Sequence, residues 1–285
     1  MGLPLEIPLW SNAPPGGSAE RETDDMTPTA VDDPGTYERV RRPSLFVYPS
    51  ENPNGAAALL YPGGGYQHVA IGKGTGDIAR QLNGAGMTVF VLKYRLPQQG
   101  WVGRADVILQ DGQRAIRIIR ARAAEWAIDR DRIAILGFSA GGYGAATLAT
   151  RFDQHSYLAT DSVDEEYARP VLAGLMFPVI ALDRPFAHIP SRTAIVGADA
   201  SPENAAKYSP DLFVSPQTPP VFLAHAMDDE VVLPENSLAM YRALAIRHNP
   251  VQLHLFQDGG HGLQFGTGTA WMQLFQSWCR YHEFI

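Results

Sequence analysis

The chain has 285 residues, of which 45% are hydrophobic and 19% are charged, and its formal net charge is −7. This length and composition are typical of a globular α/β protein with one large core. Nucleic-acid binding needs clustered Lys and Arg, so the negative charge and the lack of a basic stripe exclude a nucleic-acid partner. No stretch approaches the roughly 20 apolar residues of a membrane span, so we expect no membrane partner.

The N-terminus and the cysteine usage indicate the compartment. Residues 1–6 have neither a basic start nor a sustained apolar stretch, so they do not form a secretory signal. The single cysteine, Cys279, excludes an intrachain disulfide and fits a reducing compartment. We therefore expect a cytoplasmic protein, with a leader removed before this sequence begins as the alternative.

Strand and helix patterns alternate along most of the chain. An N-terminal arm rich in Pro, Gly and Asp covers residues 1–42. The elements predicted after it are an edge strand at 43–48, a strand at 57–61, a helix at 76–82, a strand at 87–94, a long helix over 108–126, a strand at 133–136, a helix at 141–151, strands at 172–180 and 221–226, a helix at 235–248, a strand at 251–257 and a C-terminal helix. Repeated strand–helix units predict a mostly parallel sheet with helices on both faces.

An irregular, Pro-rich stretch from residue 183 to residue 218 interrupts this alternation. Loops of this length without periodicity are usually lids or binding segments, so we expect a small cap over the active site, with a short helix at 203–208. The sequence thus predicts a single domain, residues 1–285, with an N-terminal arm and a cap segment.

The segment Gly137-Phe138-Ser139-Ala140-Gly141 directly follows the strand predicted at 133–136. A G-x-S-x-G pattern between a strand and a helix predicts a nucleophile elbow, a strained turn that exposes the serine hydroxyl. Small flanking residues are needed because larger side chains would clash with the crowded backbone. Free N–H groups at the start of the helix can face a developing negative charge. Ser139 is therefore the candidate nucleophile for attack on a carbonyl carbon.

A histidine that could activate Ser139 follows the last predicted strand. His261 lies between glycines directly after the strand at 251–257. In parallel sheets, functional groups gather beyond the carboxyl ends of the strands. A serine hydroxyl is a poor nucleophile unless a neighbouring imidazole takes its proton, and the same imidazole can then protonate the leaving alcohol. We assign this role to His261.

Two consecutive aspartates, Asp228 and Asp229, follow the strand at 221–226. The order Ser, Asp, His is the chain order of α/β-hydrolase triads, in which a buried carboxylate fixes the tautomer of the histidine. Spacing from His225 and Val232 favours Asp229 as this acid, and Asp228 is the alternative.

The glycine-rich segment Pro62-Gly63-Gly64-Gly65-Tyr66 follows the strand at 57–61. Glycines let the backbone approach a substrate closely, with N–H groups aimed at the oxygen that gains charge. We predict an oxyanion hole formed by the amides of Gly64, Gly65 and Ala140. A phosphate-binding loop is disfavoured, because the G-x-x-x-x-G-K-[ST] pattern is missing.

Together these segments resemble the α/β-hydrolase esterases, and in particular the branch of acetyl xylan esterases and carbohydrate acetylesterases. The resemblance extends over essentially the whole chain. It rests on Ile7-Pro8-Leu9-Trp10, Pro62-Gly63-Gly64-Gly65-Tyr66, Tyr94-Arg95-Leu96-Pro97, Gly137-Phe138-Ser139-Ala140-Gly141-Gly142, His225-Ala226-Met227-Asp228-Asp229 and Gly260-His261-Gly262. Hormone-sensitive-lipase-like relatives carry His-Gly-Gly-Gly at the oxyanion loop, whereas this chain has Pro62 in place of the histidine, which argues against a lipase-like substrate range.

The resemblance implies hydrolysis of short acyl esters, chiefly acetyl groups on sugar hydroxyls, through an acyl-Ser139 intermediate. The expected partner is thus a small-molecule or oligosaccharide ester, and no cofactor is implied. The scattered histidines lack metal-ligand spacing, so we expect no metal site. Tyr66, Trp101 and His188 are candidates to line the substrate pocket, each with a purely structural role as the alternative.

Three other functions are compatible with parts of this pattern. A general short-chain carboxylesterase without sugar preference would use the same residues. So would a serine peptidase on the same fold, although such peptidases usually carry a large extra domain for which this length leaves no room. A non-catalytic binding module is the least favoured, since such modules typically lose a triad residue and none is missing here.

Overall fold

The computed structural model describes residues 4–17, 24–27, 35–262 and 270–285. Parts of the predicted N-terminal arm, residues 1–3, 18–23 and 28–34, therefore lie outside the described residues. The described residues form eleven strands, which are β1 Leu5–Pro8, β2 Asp25–Thr27, β3 Thr36–Arg39, β4 Ser44–Tyr48, β5 Ala57–Tyr61, β6 Val69–Ala70, β7 Thr88–Lys93, β8 Ile133–Phe138, β9 Leu172–Met176, β10 Val221–Ala226 and β11 Val251–Phe256.

Seven α-helices connect these strands within the described ranges. They are α1 Lys73–Gly84, α2 Val107–Ala121, α3 Ala140–Arg151, α4 Ile189–Val196, α5 Pro202–Ala206, α6 Glu235–Ile246 and α7 Ala270–Tyr281. Short 3₁₀ turns occur at Ala123–Trp126, Ser162–Glu165 and Pro210–Phe213. No helix in this part of the chain is long and apolar enough to cross a membrane.

The strands form an eight-stranded main sheet with the order β1-β4-β7-β5-β8-β9-β10-β11. The pairs β1–β4 and β4–β7 are antiparallel, and every later pair is parallel. The parallel strands β5, β7 and β8 are buried along their whole length. This is expected of strands that are covered by helices on both faces. The predicted α/β class and mostly parallel sheet are thereby confirmed.

The N-terminal part of the chain differs from the prediction. We expected an edge strand at 43–48, but β1 pairs with β4 on its outer side, so β4 lies inside the sheet and β1 forms the edge. A separate antiparallel sheet joins β2, β3 and β6. These short strands carry few apolar residues, so a pattern of hydrophobic alternation could not reveal them.

A buried ion pair ties the N-terminal segment to the body of the molecule. The side chains of Arg95 and Asp111 are fully buried, and their closest nitrogen and oxygen atoms are 2.8 Å apart. The indole of Trp10 donates a hydrogen bond to Asp111, and a guanidinium nitrogen of Arg95 donates to the carbonyl of Pro15. Charged groups are tolerated in a core only when they are paired and hydrogen-bonded, so the N-terminal segment completes this network.

The predicted strand at 172–180 ends earlier, at Met176. Phe177 has a φ of 38°, in the left-handed region, and Pro178 follows it. A left-handed residue and a proline without an N–H group both end the ladder of a central strand. The chain therefore turns away from the sheet close to the carboxyl end of β8.

The segment 183–218 contains more helix than predicted. The short helix expected at 203–208 is present as α5, which begins one residue earlier and ends two residues earlier, and α4 precedes it. The side chain of Arg104 donates hydrogen bonds to the carbonyl of Ala194 at 2.7 Å and to that of Thr193 at 3.1 Å, near the end of α4. These bonds join the segment to the loop before α2. Its function as a cap stays a prediction.

Gly141 lies where α3 passes directly over the end of β5. A Cβ atom at this position would overlap the carbonyl oxygens of Tyr61 and Pro62. We expect Gly141→Ala to lower the free energy of unfolding by about 2–3 kcal/mol, because backbone atoms cannot move aside as a flexible side chain can. Thermal unfolding should show a melting temperature lower by roughly 5–10 °C.

Gly74→Ala is the matched control for this substitution. Gly74 is also in a helix, α1, but a Cβ atom there would meet no atom within 4 Å. Since alanine is a better helix former than glycine, this variant should keep or slightly raise the melting temperature. Equal melting temperatures for the two variants would contradict the close approach of α3 to β5.

Candidate active site

Ser139 occupies the sharp turn between β8 and α3. Its φ of 55° and ψ of −122° lie outside the regions that a non-glycine residue normally adopts. Such a conformation costs on the order of 1–3 kcal/mol and persists only where the surroundings fix it. Here the amide of Ser139 donates to the carbonyl of Met176 at 3.0 Å, and the carbonyl of Ser139 accepts from the amides of Gly142 and Val179. The turn therefore has the geometry of a nucleophile elbow.

The structure brings Ser139, His261 and Asp229 into one chain of hydrogen bonds. The Oγ atom of Ser139 lies 2.8 Å from Nε2 of His261, and Nδ1 of His261 lies 2.8 Å from Oδ2 of Asp229. The three residues come from the loops that follow β8, β11 and β10, whose carboxyl ends meet at one edge of the sheet. Asp228 makes no contact of this kind with the imidazole of His261.

Asp229 is buried and accepts hydrogen bonds on both oxygens. Oδ1 accepts from the amides of Val231 and Val232, each at 3.0 Å. Oδ2 accepts from His261 and also lies 3.1 Å from Nε2 of His225. Burial by itself would raise the pKa of this carboxyl, but the hydrogen bonds from His225, His261 and Val232 hold the pKa well below its usual range. Asp229 is therefore ionised at neutral pH.

His225 is a part of this site to which we assigned no function from the sequence. It is fully buried, and its Nε2 lies 2.8 Å from the carbonyl oxygen of Val232, an atom that can only accept. Nε2 must therefore carry a proton, which it shares between Val232 and Asp229. Nδ1 lies 2.8 Å from Oγ of Ser237, whose hydroxyl can donate to it. The spacing of four residues between His225 and Asp229 is the sequence signal for this contact.

Phe177 is a second residue near the site that the sequence did not indicate. Its strained backbone directs the ring onto the imidazole of His261, with ring centroids 4.9 Å apart and planes at 74°. An aromatic ring at this distance restricts the orientation of the imidazole and is favourable beside its charged form. No periodicity or motif marks a residue whose role depends on one unusual φ angle.

The glycine-rich loop after β5 lies against the serine turn. A Cβ atom on Gly63 would come within 3.3 Å of Cβ of Ser139. The parallel register pairs Tyr61 with Gly137, which sets the two loops side by side. Within the described residues, the amides of Gly64, Gly65 and Ala140 donate no hydrogen bond. These three amides thus have no hydrogen-bond acceptor among the described residues, and their role as an oxyanion hole beside Ser139 stays a prediction.

Tyr66 does not line a pocket, contrary to our prediction. Its side chain is fully buried, and its hydroxyl donates to the carbonyl of Ala140 at 2.7 Å. The φ of 62° at Tyr66 turns the ring inward beneath the serine turn. Tyr94 likewise donates to the carbonyl of Pro62 at 2.7 Å. The two hydroxyls thus support the two backbone segments that carry the predicted oxyanion donors.

The other two predicted pocket residues, Trp101 and His188, differ in their surroundings. Trp101 is mostly buried, and the guanidinium groups of Arg41 and Arg95 both lie 5.1 Å from the centroid of its ring. Its described contacts therefore belong to the N-terminal network rather than to the triad. His188 is half-buried at the start of α4, and its Nδ1 lies 2.8 Å from Oγ of Ser191.

His188 lies close enough to the triad to interact with it electrostatically. Burial and the neighbouring His261 lower the pKa of His188, although Asp229 acts in the opposite direction. His188 is therefore neutral at neutral pH, with one ring nitrogen held by Ser191. The part of the chain that the structure describes contains no cluster of three or more histidine, cysteine or acidic side chains that could hold a metal ion.

Comparison with known proteins gives a family match and related sequences. The BD-FAE family model matches residues 49–244. The chain is similar to an acetylxylan esterase of Xylanibacter ruminicola, with 30% identity over 82% of this chain and 44% of that protein. It is also similar to an endo-1,4-beta-xylanase B of Butyrivibrio fibrisolvens, with 33% identity over 78% of this chain and 34% of that protein. The chain thus spans less than half the length of these two relatives.

Two solved structures show the same architecture over most or all of the chain. An acetyl ester-xyloside bifunctional hydrolase from Caldicellulosiruptor lactoaceticus has a TM-score of 0.79 and 33% identity, with 100% of this chain and 98% of that chain covered. A thermophilic esterase from Thermogutta terrifontis has a TM-score of 0.69 at 23% identity, over 86% and 89% of the two chains, and shares the fold. These matches confirm the α/β-hydrolase fold and the resemblance predicted from the sequence, and the chain belongs to the BD-FAE family.

Proposed function

We propose that this protein is a serine esterase that hydrolyses short acyl esters, in particular acetyl esters of carbohydrates. The observation that carries the proposal is the continuous hydrogen-bonded chain from Ser139 through His261 to Asp229, near three backbone amides that donate to no acceptor in the described part of the chain. This arrangement provides a nucleophile, a base, an acid and donors for an oxyanion, which are the groups that acyl transfer requires.

In the first half of the reaction, Oγ of Ser139 attacks the ester carbonyl carbon while Nε2 of His261 takes the hydroxyl proton. The carbonyl oxygen becomes negatively charged and accepts hydrogen bonds from the free amides, each of which is worth about 10²- to 10³-fold in rate. Ionised Asp229 stabilises the imidazolium through Nδ1. His261 then protonates the leaving alcohol, and an acyl-Ser139 ester remains.

In the second half, water replaces the alcohol and His261 acts on it in the same way. Nε2 removes a proton from the water as its oxygen attacks the acyl carbon, and the oxyanion again faces the free amides. Collapse of this intermediate returns the proton to Ser139 and releases the carboxylic acid. Apart from the ester and one water molecule, every step uses groups that the chain itself contains.

The proposed substrate class is supported by the relatives. The curated relative of Xylanibacter ruminicola is an acetylxylan esterase, and the solved structure with 33% identity over the whole chain is an acetyl ester-xyloside hydrolase. We infer that acetyl groups on xylose-derived alcohols are the substrates here as well. Half-buried His188, which is neutral and close to His261, could then contact a sugar hydroxyl beside the ester.

An ester panel tests this proposal. It compares p-nitrophenyl acetate, butyrate and octanoate with acetylated xylo-oligosaccharides, and measures released p-nitrophenol or acetate. We expect kcat/KM to fall with acyl length and acetate to be released from the oligosaccharides. A preference for octanoate would contradict the acetyl assignment, and fast acetate hydrolysis without action on the oligosaccharides would indicate a general short-chain carboxylesterase.

The same assay separates the esterase from a peptidase and from a binding module. Faster turnover of a peptide anilide than of p-nitrophenyl acetate would favour a serine peptidase. A fluorophosphonate probe should label Ser139 in the native protein and leave the Ser139→Ala variant unlabelled. Absence of labelling in the native protein would favour a binding module.

A further inference from the structure

Among the described residues, the loop that carries His261 makes few hydrogen bonds to other parts of the chain. Within residues 257–262, the described hydrogen bonds to other described residues are the two made by the imidazole and one from the amide of Gly260 to Oδ1 of Asp228, at 2.8 Å. The imidazole bonds fix the ring of His261. The bond to Asp228 is the described hydrogen bond that fixes the backbone of this loop.

The backbone of this loop needs such a restraint because of its composition. Gly259, Gly260 and Gly262 have φ angles of 140°, 59° and 145°. These angles are accessible to glycine at little steric cost, but glycine also loses the most conformational freedom when it is ordered. Without a restraint on its backbone, a loop of this kind would let the imidazole of His261 occupy a range of positions. A displacement of about 1 Å from the reactive geometry can cost 10²-fold in rate.

We propose that Asp228 is a positioning residue for the catalytic base, because its carboxylate holds the amide of Gly260 and so fixes the loop that presents His261 to Ser139. This inference rests on the proposed function. The two consecutive aspartates then act on the same loop in different ways. Buried Asp229 orients the ring of His261, and exposed Asp228 anchors the backbone one residue before it.

Asp228 provides both a hydrogen-bond acceptor and a negative charge, and a substitution can remove the charge while it keeps the acceptor. The carboxylate is exposed, so its charge is screened by water and salt at the distance of the imidazole. An asparagine retains an oxygen that can accept from the amide of Gly260, whereas an alanine does not. If Asp228 acts by positioning, Asp228→Asn should therefore retain most of the kcat that Asp228→Ala loses.

The experiment compares Asp228→Ala and Asp228→Asn with Glu230→Ala as the matched control. Glu230 is an exposed acid on the loop that also carries Asp228, and it has no hydrogen bond to the described residues. We expect Asp228→Ala to lower kcat for p-nitrophenyl acetate about tenfold with little change in KM, which is the effect of one lost hydrogen bond to a charged group. Asp228→Asn should restore most of this loss, and Glu230→Ala should match the wild type.

Amide hydrogen exchange at Gly260, measured by NMR, provides a readout that does not depend on activity. The amide should be protected in the wild type and in Asp228→Asn, and should exchange faster in Asp228→Ala. Melting temperatures should stay close to that of the wild type, because the substituted side chain is exposed.

Two results would overturn the inference. One is wild-type kcat in Asp228→Ala, and the other is an Asp228→Asn variant as impaired as Asp228→Ala, which would assign the effect to charge. If the wild type hydrolyses no ester, the proposed function fails instead. The exchange rate of the Gly260 amide then still decides whether Asp228 anchors the loop.

Discussion

Ser139→Ala and His261→Ala are each expected to lower kcat by on the order of 10⁶-fold, because the nucleophile and the base act as a unit. Without Oγ no acyl-enzyme can form, and without Nε2 at 2.8 Å the hydroxyl proton has no acceptor. The measurement is p-nitrophenol release under substrate saturation. The double variant should be no slower than either single variant.

Matched measurements separate catalysis from folding in these two variants. Both should retain the wild-type melting temperature within a few degrees, since neither substitution removes much buried apolar surface. Ser139→Ala should also lose labelling by a fluorophosphonate, whereas the oxyanion donors and the binding surface remain. A variant that keeps more than about one hundredth of the wild-type kcat would show that a different residue is the nucleophile or the base.

Asp229→Asn is expected to lower kcat by on the order of 10⁴-fold. The carboxylate accepts on both oxygens, from two backbone amides and from two imidazoles. An asparagine has only one oxygen, and the backbone donors of Val231 and Val232 will retain it. Its NH₂ group then faces Nδ1 of His261, which must become an acceptor. The tautomer that results carries its proton on Nε2 and cannot take a proton from Ser139.

Asp228→Asn is the internal comparison for this prediction. It changes the same type of residue one position earlier, but the oxygen that Gly260 needs is preserved. The loss of kcat should therefore be far smaller than in Asp229→Asn. Comparison of the pH profiles of kcat/KM checks the tautomer argument, since Asp229→Asn should alter the profile and Asp228→Asn should not. A larger loss of kcat in Asp228→Asn than in Asp229→Asn would show that Asp228 is the acid of the triad.

The parts of the site that follow local rules were predictable from the sequence. The elbow at Ser139 requires a strand, small neighbours and a helix, and all three are visible in residues 133–151. Strands β5 and β10 were predicted with the bounds that the structure has. Both runs are mainly apolar and adjoin a proline, Pro62 after β5 and Pro220 before β10, and these are strong signals for buried strands. The contacts among Ser139, Asp229 and His261 followed from the rule that strand ends share one edge.

Features that depend on tertiary contacts or single dihedral angles were not predictable. Tyr66 follows a run of glycines in a loop, and only its φ of 62° determines that the ring points into the core. Phe177 is placed on His261 by the same kind of left-handed turn. Strand β1 is recognisable only through its partner, because its short segment has one buried residue in four. In each case the decisive information is a neighbour that is distant in the chain.

The order of strands in the sheet has a consequence for how activity is lost when the protein is stressed. Ser139 follows a strand in the middle of the sheet, whereas the acid and the base follow β10 and β11, and β11 is the half-exposed edge of the described sheet. Edge elements open locally at a lower free-energy cost than the centre. Partial opening of the last strand would separate His261 from Ser139 while the rest of the core stays folded. Heat or denaturant should thus inactivate the enzyme before global unfolding, and inactivation at this stage should be reversible on cooling or dilution.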